Sequence, residues 1–387
     1  MAARWRVLAL LFLVRTTMAF QFQAVGALSP AYQDAFAVGI ADIGVLVGLY
    51  FTPGLFLAAP GGALGRRFGD KQVVLVGLAL MVVGGVLMAV SELWAGQLTG
   101  RFLAGLGGVL LNVLMTKMVA DWFAGKEISF SMAVFVNSWP VGIALALIVL
   151  PLVAEVRGLT SALTLVAVLT VVGFAALALF YRAPAGAGDG MAAPDNRVRG
   201  VLFGAVLAAG AIWGLYNAAL AIVFSFGPEL FVAHGMRLAE AGSVTSIVLW
   251  LLAIVGSFAG FLIDWTGRRS LILVVGNLGF AVFVFVASWT DKVLLNVIAM
   301  GVFSGVGVGA MMSLPALVLS PGARAVGMGI FFTVFYFCAT VGPMVAGWLA
   351  DLSGDIATTF QFAVTLLITS VLVLPIYHRL AARVSER

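Results

Sequence analysis

Two arginines, Arg15 and Arg101, interrupt long apolar runs, and they are the residues of this chain best equipped for chemistry. A guanidinium in apolar surroundings must meet a partner or a polar cavity. Its planar fork of donors fits a carboxylate or other oxyanion through two parallel hydrogen bonds. Arg15 shares a helical face with Ala19, Phe22 and Gly26, with Gln23 alongside. At about 100° per residue, Arg101 falls in one stripe with Gln97, Gly105, Gly108 and Asn112, and such a polar stripe belongs against a cavity. All 16 Asp and Glu can be assigned outside the apolar cores or to their ends, so the interior is expected to be net positive and to take a negatively charged ligand. For Arg101 a second reading stays open, that of a structural cation bonded to backbone carbonyls.

Other chemistry is poorly provided for. Cys338 stands alone in an apolar run, and His234 and His378 lie far apart, so neither a disulfide framework nor a metal site is expected. No His and carboxylate pairing or nucleophile motif points to an enzyme, and no G-x-x-x-x-G-K-[ST] loop points to a nucleotide. No cofactor is expected.

The elements that must position these residues are membrane spans. Of the 387 residues 63% are apolar and 10% charged, which excludes a water-soluble globule. The chain parses into twelve apolar runs, at 5–29, 39–64, 71–91, 94–117, 129–152, 159–181, 200–226, 239–263, 270–289, 293–319, 325–350 and 357–378. Residues 1–20 could pass for a signal peptide, but Arg15 interrupts the apolar core, which favours a retained first span. Starting that span at Trp5 puts Arg15 about 15 Å along it, near the bilayer centre. The 21 Lys and Arg concentrate on one side: the opposite loops hold only Arg157, Arg237 and Lys292. That bias predicts both termini in the cytoplasm and accounts for the basic balance through anionic lipid, with no nucleic-acid partner. The short loops suit a bacterial inner membrane.

Residues 182–199, rich in Gly, Pro and charge, predict a cytoplasmic linker between a six-helix bundle at 1–181 and a second at 200–387. Punctuation repeats about 200 residues apart, with Gly62, Leu64 and Gly69 matching Gly260, Leu262 and Gly267, and Gly105 and Gly107 matching Gly305 and Gly307. Two parallel six-helix repeats about an axis normal to the membrane explain this pattern.

Twelve spans, the central split and the loop signature resemble the major facilitator superfamily of secondary transporters. The family's loop reads roughly G-x-L-x-D-R-x-G-R-R. The second copy fits through Gly260, Leu262, Asp264, Gly267, Arg268 and Arg269, with Trp265 in place of Arg. In the first copy Arg66 stands where the family has Asp and Asp70 where it has Arg, beside Arg67. The resemblance implies a charge lock between helices on the cytoplasmic face; simple positive-inside anchoring is the alternative. Arg101 in RFLAGLGG resembles the family's fourth-helix pattern, and WPVG (Pro140, Gly142) and VGPMVAG (Gly342, Pro343) resemble its hinges in spans 5 and 11. Gly and Pro are also common in any membrane helix, and the small residues Gly96, Gly100, Ala104 and Gly108, at four-residue spacing, read as close helix packing.

A first-helix arginine resembles the anion-handling branches, of the cyanate or organic-anion type. At the repeat-equivalent of Arg15 stands Trp213, which with Tyr216, Asn217 and Tyr336 could wall the cavity opposite Arg15, Gln23, Arg101 and Asn112, with plain aromatic packing in the bundle as the alternative for each. The expectation is an all-α monomer in a lipid bilayer that carries a small organic or inorganic anion by alternating access, driven by a gradient and open to proton coupling. Coupling would fall to an edge acid such as Asp34 or Glu229. A proton-linked exporter of neutral or cationic compounds is the alternative; it would want an embedded acid, which the sequence does not supply. An intramembrane enzyme or a sensor is a third class.

Overall fold

The computed structural model describes residues 3–123, 127–184, 198–290, 292–320 and 323–385. They are helical throughout and include no strand: α1 (Ala3–Ala27), α2 (Ser29–Phe36), α3 (Ile40–Leu49), α4 (Gly54–Phe68), α5 (Asp70–Val90), α6 (Trp94–Trp122), α7 (Ile128–Val136), α8 (Ser138–Phe180), α9 (Gly200–Ala233), α10 (Leu238–Thr266), α11 (Arg269–Ala287), α12 (Val293–Val306), α13 (Val308–Val318), α14 (Arg324–Ser353) and α15 (Ala357–Ser385). Eleven segments are long and apolar enough to cross a membrane, and the longest, 51 residues from Phe130 to Phe180, is two crossings. It folds at Gly158, where φ is 80° and ψ 169°, a conformation that needs glycine. The architecture is thus twelve transmembrane helices in two six-helix bundles. Residues 185–197 of the expected linker lie outside the described residues.

The main departure from the sequence reading is that three crossings are broken. Span 2 is α3 and α4, parted around Pro53; span 5 is α7 and the start of α8, parted at Asn137; span 10 is α12 and α13, parted at Gly307. Span 7, by contrast, runs through Pro228 to Ala233 rather than stopping near 226, and so takes Glu229 into the helix.

The two bundles meet through α1 with α9, α3 and α4 with α14, and α8 with α10. The last two are the same junction made twice, since span 2 against span 11 repeats as span 8 against span 5. Apart from Gly54, which lies against the Tyr336 ring at the start of α4, close approach is confined to one end. There Gly44 lies against the Pro343 carbonyl, Gly48 against that of Thr340, and Gly242 against that of Leu147, so a Cβ at any of them would collide. Toward the end that carries Arg66 and Arg268 the bundles part. Gly61 meets only Leu110 and Val113 of its own bundle, Gly256 meets only its own bundle's Gly305, and Gly260 meets nothing within 4 Å. The hydrogen bond from Asn137 Nδ2 to Ser257 Oγ, 3.0 Å, marks the level at which they separate.

Carboxylates hold the closed end in a two-fold arrangement. Asp351, at the end of α14, accepts from the backbone N–H of Ile40 (2.9 Å) and Ala41 (3.0 Å), which open α3. Glu155, near the end of span 5, accepts from the N–H of Ala239 (2.9 Å), in the first turn of α10, and from Arg237 Nη2 (2.8 Å). A helix start exposes N–H groups without intrahelical partners and carries a partial positive charge, so each carboxylate is matched to what it touches. A third, Glu229 of α9, is held by Ser29 and by Gln33 Nε2 at 2.7 Å.

Replacing Glu155 by Gln or Asp351 by Asn should each weaken that end by about 1 kcal/mol, a roughly fivefold shift toward states in which it is open. Spin-label distances across the α3 and α14 ends would read the shift; distance distributions identical to the parent protein's would show that the clamps hold nothing.

Candidate functional site

The site is organised by carbonyls that helix breaks set free. Proline has no N–H, so the carbonyl four residues before it loses its helical partner. For Pro140 that carbonyl belongs to Val136, and Arg15 Nη1 bonds to it at 3.2 Å. The same nitrogen reaches the Phe135 carbonyl (3.2 Å) and Ser138 Oγ (3.3 Å), at the break between α7 and α8. Nη2 donates to Asn112 Oδ1 at 2.9 Å. Asn112 in turn donates to the hydroxyl of Tyr336, on α14 in the other bundle, at 3.4 Å. The Phe135 ring lies 4.8 Å and the Trp139 ring 6.0 Å from the guanidinium carbon. Arg15 is only 8% exposed, no Asp or Glu pairs with it among the described residues, and its Nε finds no partner there. Of the expected site residues, Arg15, Asn112 and Tyr336 are thus brought together across the junction of the bundles.

Arg101 is placed differently. It is 0% exposed, and each of its nitrogens bonds to a carbonyl: Nε to Leu46 (2.8 Å), Nη1 to Gln21 (3.3 Å) and Nη2 to Phe22 (2.8 Å). Leu46 lies in the last turn of α3, where carbonyls lack helical partners. Phe22 and Tyr50 rings cover the guanidinium at 5.2 and 4.7 Å. Of the two readings open for Arg101, this geometry supports the structural one.

Three more expected site residues have internal tasks. Gln23 Nε2 bonds at 2.8 Å to the Phe224 carbonyl, the one that Pro228 frees in the other bundle. Tyr216 is 1% exposed and donates to the Ser304 carbonyl at 2.6 Å, beside the break between α12 and α13. Asn217 donates back to Trp213 of its own helix at 2.8 Å. Trp213 is half-buried, stacks on Tyr216 and leaves its buried Nε1 without a partner among the described residues.

The sequence reading did not single out Trp139, Phe135 or Ser138 around Arg15, nor Gln21, whose Nε2 bonds to the Met81 carbonyl at 2.8 Å. The signal for the first three was present as Pro140, whose orphaned carbonyl lies next to them.

The expected lock residues separate. Asp70 pairs with Lys117 of α6 at 2.5 Å, a bond within one bundle, and Lys117 also reaches Asp121 at 3.1 Å. Arg66, Arg67 and Arg268 are exposed and Arg269 is half-buried, while the Asp264 side chain lies outside the described residues. At the expected hinges, Gly142 is packed where a Cβ would lie 2.5 Å from the Thr16 carbonyl, and Gly342 where it would lie 2.8 Å from Ala218. Pro140 and Pro343 are buried within α8 and α14.

With this geometry in view, comparisons place the chain among known proteins. The model of the Major Facilitator Superfamily matches residues 11–234 and 201–387. The inner membrane transport protein YajR of Escherichia coli is 25% identical over 318 residues, 79% of this chain and 69% of YajR. A probable nitrate transporter, NarT of Staphylococcus haemolyticus, is 32% identical over 96 residues, 24% of each chain. Among solved structures, the inward-open xylose transporter XylE of E. coli superposes with a TM-score of 0.78 at 13% identity, covering 95% of both chains. A bacterial homologue of the lysosomal transporter Spinster, inward-facing and unoccupied, gives 0.74 at 14% identity over 100% of this chain and 97% of its own.

The two arginines should respond differently to substitution. Arg101→Gln leaves one shorter amide with two hydrogens for three buried carbonyls on two helices and should cost about 3 kcal/mol, seen as a lower Tm and reduced folded yield. Arg15→Gln, which keeps an amide donor for the freed carbonyls, should leave the Tm within a few degrees of the parent. Equal losses in the two variants would contradict this division of roles.

Proposed function

The chain belongs to the major facilitator superfamily, and on that premise we propose that this multi-pass membrane transporter carries a small organic or inorganic anion, with Arg15 as its anchor. The observation that carries the reading is the partnering of Arg15: a nearly buried cation at the junction of the bundles, held by neutral dipoles and paired with no carboxylate among the described residues. Asn112 and Tyr336 extend its hydrogen bonding into the second bundle. The nitrate named for NarT is coarse support for an anion.

Placing the basic loops in the cytoplasm of a bacterial inner membrane, with both termini inside, makes the open end cytoplasmic. The carboxylate clamps then close the outer end. Rocking of the two halves, 1–181 and 200–387, around Arg15 would expose it to each side in turn.

Electrostatics gives the rocking its dependence on substrate. Closing the open end over Arg15 alone would seal an unpaired charge in a low dielectric, which costs several kcal/mol. A bound anion supplies the missing charge and lowers that cost, so occlusion follows binding. Of the edge acids available for proton coupling, Glu229 spans the two bundles through Ser29 and Gln33, whereas Asp34 is exposed.

The test is a thermal-shift panel on the purified full-length protein, with small anions set against cations and neutral amphiphiles. One anion class should raise the Tm of the parent, and Arg15→Gln should reduce that response at least about tenfold in ligand concentration. Stabilisation by cations or neutral compounds alone, equal in both proteins, would transfer the protein to the exporter reading.

A further inference from the structure

We propose that the anion is a monocarboxylate carrying a flat apolar body, an inference that rests on Arg15 being the anion anchor. The first ground is the number and position of the donors that the protein leaves over. Nη1 is committed to two carbonyls and a hydroxyl, and Nη2 gives one of its two hydrogens to Asn112. What remains is the second Nη2 hydrogen and the N–H of Nε, which has no partner among the described residues although the side chain is only 8% exposed. Those nitrogens are neighbours on one edge of the guanidinium, the edge whose spacing matches the two oxygens of a single carboxylate.

The second ground is charge. Arg101 is 0% exposed, each of its nitrogens is already held by a carbonyl, and the Phe22 and Tyr50 rings cover it, so it offers no second anchor. The other described Lys and Arg lie toward the ends of the spans. A dianion would therefore bring one charge that the site can pair and one that it cannot, and an unpaired charge in a low dielectric is strongly disfavoured.

The third ground is the aromatic cluster beside Arg15, in which Trp139 and Phe335 are half-buried and Phe22 and Phe51 are buried between them. Trp139 lies over the guanidinium and stacks on Phe22, with centroids 5.2 Å apart. Phe22 meets Phe51 at 4.9 Å, and Phe51 reaches Phe335 in the other bundle at 6.1 Å. Such a run of rings favours a planar apolar body by stacking and gives nothing to the hydration needs of a small inorganic oxoanion. The same cluster connects the two bundles, so a body laid against its half-buried members, Trp139 and Phe335, would touch both halves.

Four probes on the full-length protein separate the components: benzoate, phthalate, nitrate and the neutral isostere benzamide, each titrated by ligand-induced shift in Tm. Benzoate should stabilise at concentrations at least about tenfold lower than the other three. Arg15→Lys keeps the charge but loses the paired edge, and should weaken benzoate by at least about tenfold. Trp139→Leu should weaken benzoate several-fold and leave nitrate unchanged. Phthalate or nitrate matching benzoate in the parent, with the response lost in Arg15→Gln, would overturn the substrate class while leaving the anion reading standing. Benzamide matching benzoate equally in parent and Arg15→Gln would overturn the anion reading itself. The ligand order in the parent decides the class even if a variant fails to fold.

Discussion

A backbone carbonyl released inside a bilayer has no water to bond to, and the rest of this structure is arranged around that constraint. Pro140 releases the Val136 carbonyl, and Arg15 takes it. Pro228 releases that of Phe224, and Gln23 takes it from the other bundle. The break between α3 and α4 leaves Leu46 to Arg101, and the break between α12 and α13 leaves Ser304 to Tyr216. These four polar residues, which look out of place in their apolar runs, are thus set against irregularities in neighbouring helices. The broken helices and the buried polar side chains are mutually required: neither would be tolerated in lipid without the other.

This accounting separates residues of similar appearance. Arg15 and Arg101 both sit in apolar spans and both meet freed carbonyls, yet only Arg15 retains a nitrogen without a partner among the described residues. A nitrogen left over on a side chain that is not fully sealed is a donor surplus and a capacity for binding, whereas a fully buried guanidinium with every nitrogen engaged is a brace. The proposed transport follows from the surplus, because an anion that neutralises Arg15 removes the electrostatic obstacle to closing the bundles around it.

The duplication of the chain shows most clearly in the clamps. Glu155 on the start of α10 and Asp351 on the start of α3 are the same contact made by opposite halves. Both use a carboxylate on helix-start N–H groups, a pairing that does not require a basic partner in sequence. No motif marks such a pairing, whereas the repeated loop signature drew the sequence reading to the Arg66 and Arg268 loops instead. In this conformation those loops are apart, and Asp70 turns to Lys117 within its own bundle.

The sequence alone determined the membrane class, the number of crossings, the repeat and the prominence of Arg15, because hydropathy, span length and the cost of a charge in lipid are local properties written along the chain. Even Gly158, where two crossings meet, lay between two separately legible apolar runs. Tertiary structure decided which polar groups are spent and which are spare. Arg101, Tyr216 and Gln23 read as lining residues, but their partners stand far away in sequence, on carbonyls that carry no residue-type signature. Side-chain identity reports what a residue can donate; only the packing of helices against one another fixes how many of those donors the backbone has already taken.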